Sequence, residues 1–163
     1  MKKLIFGLLV IGFTCQLFSQ VETLPEIEIK VLNYKYLNSV DSKDLDSDVK
    51  ILEKEVAYFD VLNSDFYRDD WVMFYIPKGK ILASYDGNVN MTIEKFENIK
   101  LPPNVSYAIF KRFPGWYLKK NVYKVTYYQE SSRKEYRVVI QNGDQILRLR
   151  TDEKGNFYGE ENY

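Results

Sequence analysis

Residues 100–116 read K-L-P-P-N-V-S-Y-A-I-F-K-R-F-P-G-W, and this stretch sets the plan of the chain. It predicts one short helix with marked ends, residues 103–113. Pro102 and Pro103 stand where a first helical turn tolerates a missing N–H. Val105, Ile109 and Phe113 are four apart, with Ala108 beside them, so they form one apolar stripe expected to face a sheet. Pro114-Gly115 stops the helix and turns the chain. The chain beyond Trp116 alternates as strand, and a weaker copy of the same plan precedes the helix.

Working outward toward the C-terminus, residues 116–128 read as a long strand and residues 130–133 as a turn. Residues 135–141 and 145–151 read as strands joined by the Asn142-Gly143 hairpin turn. Residues 152–156 close the unit before Phe157-Tyr158. On the N-terminal side, residues 71–76 and 80–85 flank a Pro77-Lys78-Gly79 turn, where Pro and Gly supply the backbone angles a hairpin needs. Asp86-Gly87-Asn88 makes a second turn, and residues 91–96 a further strand. Residues 49–57 form the earlier helix, with Val49, Leu52 and Val56 as its stripe. Ser47 or Asp46 is expected to cap it, because acidic residues suit a helix N-terminus. Residues 26–36 alternate Ile27, Ile29 and Val31 against Glu26, Glu28 and Lys30, which predicts a strand.

The two halves line up. Ile76, two turn residues, Gly79, an Ile-Leu strand and then Asp86-Gly87-Asn88 parallel Ile140, Gln141-Asn142, Gly143, an Ile-Leu strand and the later Asp and Gly-Asn. The expected fold class is α+β: a tandem repeat of a helix packed on an antiparallel β-meander, forming a curved sheet. The expected divisions are a leader at 1–19, an N-terminal strand and acidic loop at 20–45, a first repeat at 46–100 and a second at 101–163.

The leader is read from Lys2 and Lys3 ahead of an apolar run at 4–13, followed by small and polar residues to Leu17-Phe18-Ser19-Gln20. That is the pattern of a secretory signal peptide, too short for a spanning helix. Cleavage is expected after Ser19, leaving no membrane span. Cys15 is the only cysteine. Gly12-Phe13-Thr14 before it is a poor lipidation box, so plain cleavage discards it and the exported chain has no disulfide. Removing 19 of 163 residues leaves 144, enough for one domain or two small repeats. Losing Lys2 and Lys3 from 23 basic against 23 acidic residues leaves a net charge of −2, with no global pull toward nucleic acid. The expected location is periplasmic or secreted, and the expected state a monomer.

Several motifs resemble one family. Leu101-Pro102 opening the helix, Phe113-Pro114-Gly115-Trp116 closing it, a Tyr-rich strand, K-E-Y-R-V-V-I-Q-N-G and the final T-D-E-K-G-N-F look like PepSY-like periplasmic proteins, similar in shape to the beta-lactamase-inhibitor-protein-like fold. The resemblance covers residues 46–158. It implies a helix on a four-stranded antiparallel sheet, twice over, with export and a binding or inhibitory role. It carries no catalytic residues. Chains resembling this one are also labelled nicotinate-nucleotide adenylyltransferase. That enzyme resembles a doubly wound nucleotide-binding fold with paired histidines, whereas this chain has no His and no glycine-rich strand-to-helix loop.

With no His and no mature Cys, the usual nucleophile–base pairs and zinc sets are missing. Carboxylate pairs such as Glu94 with Glu97, or Asp69 with Asp70, read as solvated acids before they read as a glycosidase pair. Asp44, Asp46 and Asp48 have the first spacings of a calcium loop, but Val49 stands where Gly is required. No catalytic residue, cofactor or metal is therefore expected. Tyr123, Tyr127, Tyr128 and Tyr136 suit cross-strand packing. Residues 38–70 are acidic and 111–150 basic, which suits complementary halves.

Period two places Lys124, Tyr128, Arg137, Arg148 and Arg150 on the sheet face away from the helix. This basic, aromatic-bearing face is the expected binding surface, for an unidentified acidic protein or an anionic envelope polymer. The expected function is an exported non-catalytic binding module, with inhibition of an envelope or secreted protein as one form of that role. The alternative is a structural or envelope-stress protein without a ligand.

Overall fold

In the computed structural model, residues 33–61 and 71–162 are described. Among these described residues, three helices, α1 (Tyr34–Val40), α2 (Ser47–Tyr58) and α3 (Pro103–Arg112), accompany seven strands. The strands are β1 (Trp71–Ile76), β2 (Gly79–Asp86), β3 (Asn88–Glu97), β4 (Tyr117–Tyr128), β5 (Ser131–Asn142), β6 (Gln145–Thr151) and β7 (Phe157–Asn162). They form one open antiparallel sheet in sequence order. β3 pairs with β4 across the α3 excursion, so the two expected repeats share one sheet.

One face of the sheet is sealed. Ile81, Ala83 and Tyr85 of β2, Val89 and Phe96 of β3, Tyr123, Val125 and Tyr127 of β4 and Tyr136, Val138 and Ile140 of β5 are buried. They share a core with Val49, Leu52 and Val56 of α2 and Val105 and Ile109 of α3. Burying apolar area on this scale is what drives three amphipathic helices onto one side of the sheet. Polar bonds fix their seating. The Tyr85 hydroxyl donates to Val56 O at 2.8 Å, and the Ser132 hydroxyl to Ser39 O at 2.6 Å. The Asp46 carboxylate caps α2 by accepting from Asp48 N–H at 2.9 Å, and also accepts from Lys100 N–H at 2.7 Å.

Two glycines are required by close approach. At Gly79 a Cβ would lie 2.3 Å from Phe96 Cδ1, so the Phe96 ring lies across the bare backbone of its cross-strand partner. At Gly155, with φ +85°, a Cβ would lie 2.8 Å from Ala108 Cβ, so the β6–β7 turn presses directly on α3.

Four expectations change. The strand expected at 26–36 does not reach its end: Tyr34–Val40 is helix, and the rest of that stretch up to residue 32 lies outside the described residues. Tyr36 and Val40, four apart, are both buried, and Asn33 ends any extension by donating to Ala57 O while accepting from Val89 N–H. The turn expected at 130–133 is Gln129-Glu130, both with positive φ, and β5 begins at Ser131. A two-residue turn with both angles positive normally announces itself by Asn-Gly, which is not what stands here. Residues 157–162 add a seventh strand, where only a closing segment was expected. Phe113 is the C-cap of α3, not a helical residue, and only half-buried; it packs at the edge of the core that holds Val105 and Ile109, with Trp116 at 6.1 Å and Phe157 at 6.3 Å. The expected leader, 1–19, and Asp69 and Asp70 lie outside the described residues.

Candidate functional site

The outer face of the sheet carries the opposite alternation. Every other residue of β1–β6 points away from the core, and most of these are exposed or half-exposed. Strand register sorts them into rows that cross the sheet. One row runs Tyr75, Lys80, Lys95, Lys124, each directly opposite the next. The adjacent row runs Met73, Leu82, Ile93, Thr126, and the one beyond it Trp71, Ser84, Met91, Tyr128. Trp71 is 45% exposed, Met73 57%, Tyr75 78% and Ile93 46%. Aromatic and aliphatic side chains at that exposure form a patch of the kind that marks contact surfaces.

The five expected residues all lie on this outer face, but they do not act as five equal cations. Glu135 of β5 is nearly buried and accepts from Arg137 Nε at 2.5 Å and from Arg150 Nε at 3.0 Å. Partial burial works against its charge, but hydrogen bonds and charge from the two guanidiniums hold its carboxyl below the ordinary range. Arg137 and Arg150 are thus committed within the protein, with Arg150 also 5.6 Å from the centre of the Tyr158 ring. Lys124 is half-buried, Arg148 exposed, and Tyr128 49% exposed. Sequence reasoning missed the clamp because Glu135 is buried by neighbours on other strands, which no local pattern reports. It also missed Lys80 and Lys95, which register aligns with Lys124.

A second polar constellation lies on the core side. Glu53 of α2 and Glu94 of β3 are both buried. Glu94 Oε1 accepts from the Tyr36 hydroxyl at 2.9 Å and the Thr92 hydroxyl at 2.7 Å. Glu53 Oε1, Glu94 Oε2 and the Tyr123 hydroxyl have no hydrogen-bond partner among the described residues. Burial and the neighbouring Glu94 push the Glu53 carboxyl up to about 9. Burial raises Glu94 as well, against the opposing hydrogen bonds from Thr92 and Tyr36 and the nearby charge of Lys134. Desolvation disfavours the charged form of each, so at neutral pH the pair retains a proton that ordinary acids would have lost. The Lys134 ammonium is occupied by Glu153 Oε2 at 3.2 Å and Asp41 O at 3.3 Å.

The carboxylate pair considered from sequence, Glu94 with Glu97, is separated by the sheet. An odd spacing in a strand places Glu94 in the core and Glu97 on the exposed face, paired with Lys95 at 2.5 Å. In the acidic loop, Asp46 directs its oxygens to two backbone N–H groups, and among the described residues no three acids converge as metal ligands. Tyr123 and Tyr136 stack at 4.6 Å in the core and Tyr127 meets Tyr36 at 5.2 Å, so of the four clustered tyrosines only Tyr128 faces outward.

No family model, no curated protein and no solved structure matches this chain.

Proposed function

We propose that this chain is an exported, non-catalytic binding module that works through the outer face of its sheet. The observation that carries the reading is the division of that face. The helices pack on the other side, leaving an antiparallel surface whose β1–β3 half sets Trp71, Met73, Tyr75 and Ile93 beside Lys80 and Lys95, and whose β4–β6 half is basic. A preformed sheet face loses little conformational freedom when a partner docks, and Arg, Tyr and Trp are the residues that anchor such contacts. The partner proposed is an acidic protein or an anionic envelope polymer. Lys124, Arg148 and Tyr128 make its contacts, while Arg137 and Arg150 shape the surface through Glu135.

Export rests on the sequence pattern of residues 1–19. The tandem-repeat and PepSY-like readings draw support from the element order. Each half has a helix followed by a meander, and the matching turns at Gly87-Asn88 and Gly155-Asn156 both hold glycine at positive φ. The intact mass of the exported protein should correspond to a start at Gln20; a lipid on Cys15 would sink the processing reading.

Binding is tested on immobilised polyglutamate with a salt gradient. Arg133 is exposed near the start of β5 on the same outer face, so Arg133→Glu with Arg148→Glu leaves the Glu135 clamp intact, and should elute earlier than wild type with a shallower dependence on salt. If that variant keeps its circular dichroism spectrum and elutes with the wild type, the basic half is not the binding surface.

A further inference from the structure

The row formed by Lys80, Lys95 and Lys124 is unfavourable by itself. Lys80 is directly opposite Lys95, and Lys95 directly opposite Lys124, on adjacent antiparallel strands. Directly opposed side chains have Cβ atoms only about 5 Å apart, where like charges repel. The neighbouring acids offset this only in part. Glu97 pairs with Lys95. Glu135 opposes Lys124 in register, but its carboxylate is held by Arg137 and Arg150. Among the described residues, Lys80 and Lys124 have no carboxylate in ion-pair contact.

The rows beside it change character in a fixed order. Along the strands, the lysine row is followed by Leu82 and Ile93, and then by Trp71, Met91 and Tyr128. Residues two apart on a strand are separated by about 7 Å, so the face passes from cationic to aliphatic to aromatic over about 14 Å. A groove of about 400 Å³ lies here, lined among others by Met73, Lys80, Leu82, Ile93, Lys95 and Lys124. That volume is in the range of small-molecule sites, where a mostly apolar floor is combined with a few convergent polar groups.

We propose that this groove binds a single-chain anionic amphiphile of the fatty-acid type. Its carboxylate lies over the lysine row and its alkyl chain runs along the strands toward Trp71. The carboxylate relieves the repulsion among the three ammonium groups, and the chain covers apolar surface that water otherwise contacts. The inference rests on the outer face being the working surface, and shares only Lys124 with the basic half that would hold a polymer.

The probe is dodecanoate below its micelle concentration, titrated by calorimetry and followed by tryptophan fluorescence. The wild type should bind one equivalent. Dodecyl maltoside, with the same chain and no charge, should bind at least tenfold more weakly, and acetate should not compete. Lys80→Gln with Lys95→Gln and Lys124→Gln should weaken dodecanoate at least tenfold and raise the melting temperature of the ligand-free protein. Lys95→Gln alone is the milder companion, with a smaller loss in the same direction. Arg148→Glu, two strands beyond the groove on β6, should bind dodecanoate as the wild type does, whatever happens to its polyglutamate binding. Equal binding of the maltoside, displacement by acetate, attachment only to phosphatidylglycerol vesicles, or undiminished binding by both lysine variants overturns the proposal.

Discussion

Replacing the two buried acids, Glu53→Gln with Glu94→Gln, should remove a pH dependence that the wild-type fold builds in. Both carboxyls have raised pKa values in the folded protein, Glu53 to about 9, because burial penalises their charge. In the unfolded chain each returns to the ordinary range near 4.5. Between those values the folded state binds protons that the unfolded state has released. Stability is therefore full at low pH and falls as pH rises. Each retained proton makes the slope about 1.4 kcal/mol per pH unit, so a single shared proton gives a loss of about 2.7 kcal/mol from about pH 5.5 to about pH 7.5. The acids with depressed values, Glu97, Glu135 and Asp152, act in the opposite sense and lower down. Their contribution is complete above the unfolded range and disappears only as pH falls through their folded values, so it adds no slope in this window. The assay is urea unfolding at several pH values across the window. The wild type should weaken steadily, and the double variant should be flat and the more stable of the two at the upper end. A flat wild-type profile, or an equal slope in both proteins, would show that the pair is not held protonated.

Three further substitutions probe the packing. Ile109→Ala empties a fully buried site under α3 and should cost about 2–5 kcal/mol in urea unfolding; Phe113→Ala, at the half-buried helix end, should cost less, and the reverse order would mean that the stripe is misassigned. Gly155→Ala should destabilise by about 1–3 kcal/mol, because it combines a positive φ with overpacking against Ala108 and the Asn104 carbonyl; a neutral thermal melt would separate the turn from α3. Asp46→Ala should lose about 1–2 kcal/mol, since the α2 cap and the tie to Lys100 N–H go together; a change within a few tenths would leave the cap without energetic weight.

Local chemistry made much of this protein legible in advance. Pro102-Pro103 and Pro114-Gly115 mark the ends of α3, Gly79 and Gly87 mark the turns of the first meander, and period-two alternation assigns faces in β2, β4, β5 and β6. Those signals act within a few residues, so they survive in the sequence alone. The α+β class and the sidedness of Lys124, Tyr128, Arg137, Arg148 and Arg150 follow from them.

Tertiary structure decided whatever depends on partners distant in the chain. Helix α1 exists where alternation suggested strand, because Tyr36 gains a buried bond to Glu94, 58 residues away. Glu53 and Glu94 are ordinary acids on a helix and a strand until packing encloses both, and the loss of water is what shifts their protonation. The lysine row arises from the β2–β3 and β3–β4 registers, the second of which is set across the whole α3 excursion. The Glu135 clamp needs β6 beside β5. A strand's own residues fix which side chains share its face. Only the hydrogen-bonded register between strands fixes which of them stand opposite one another.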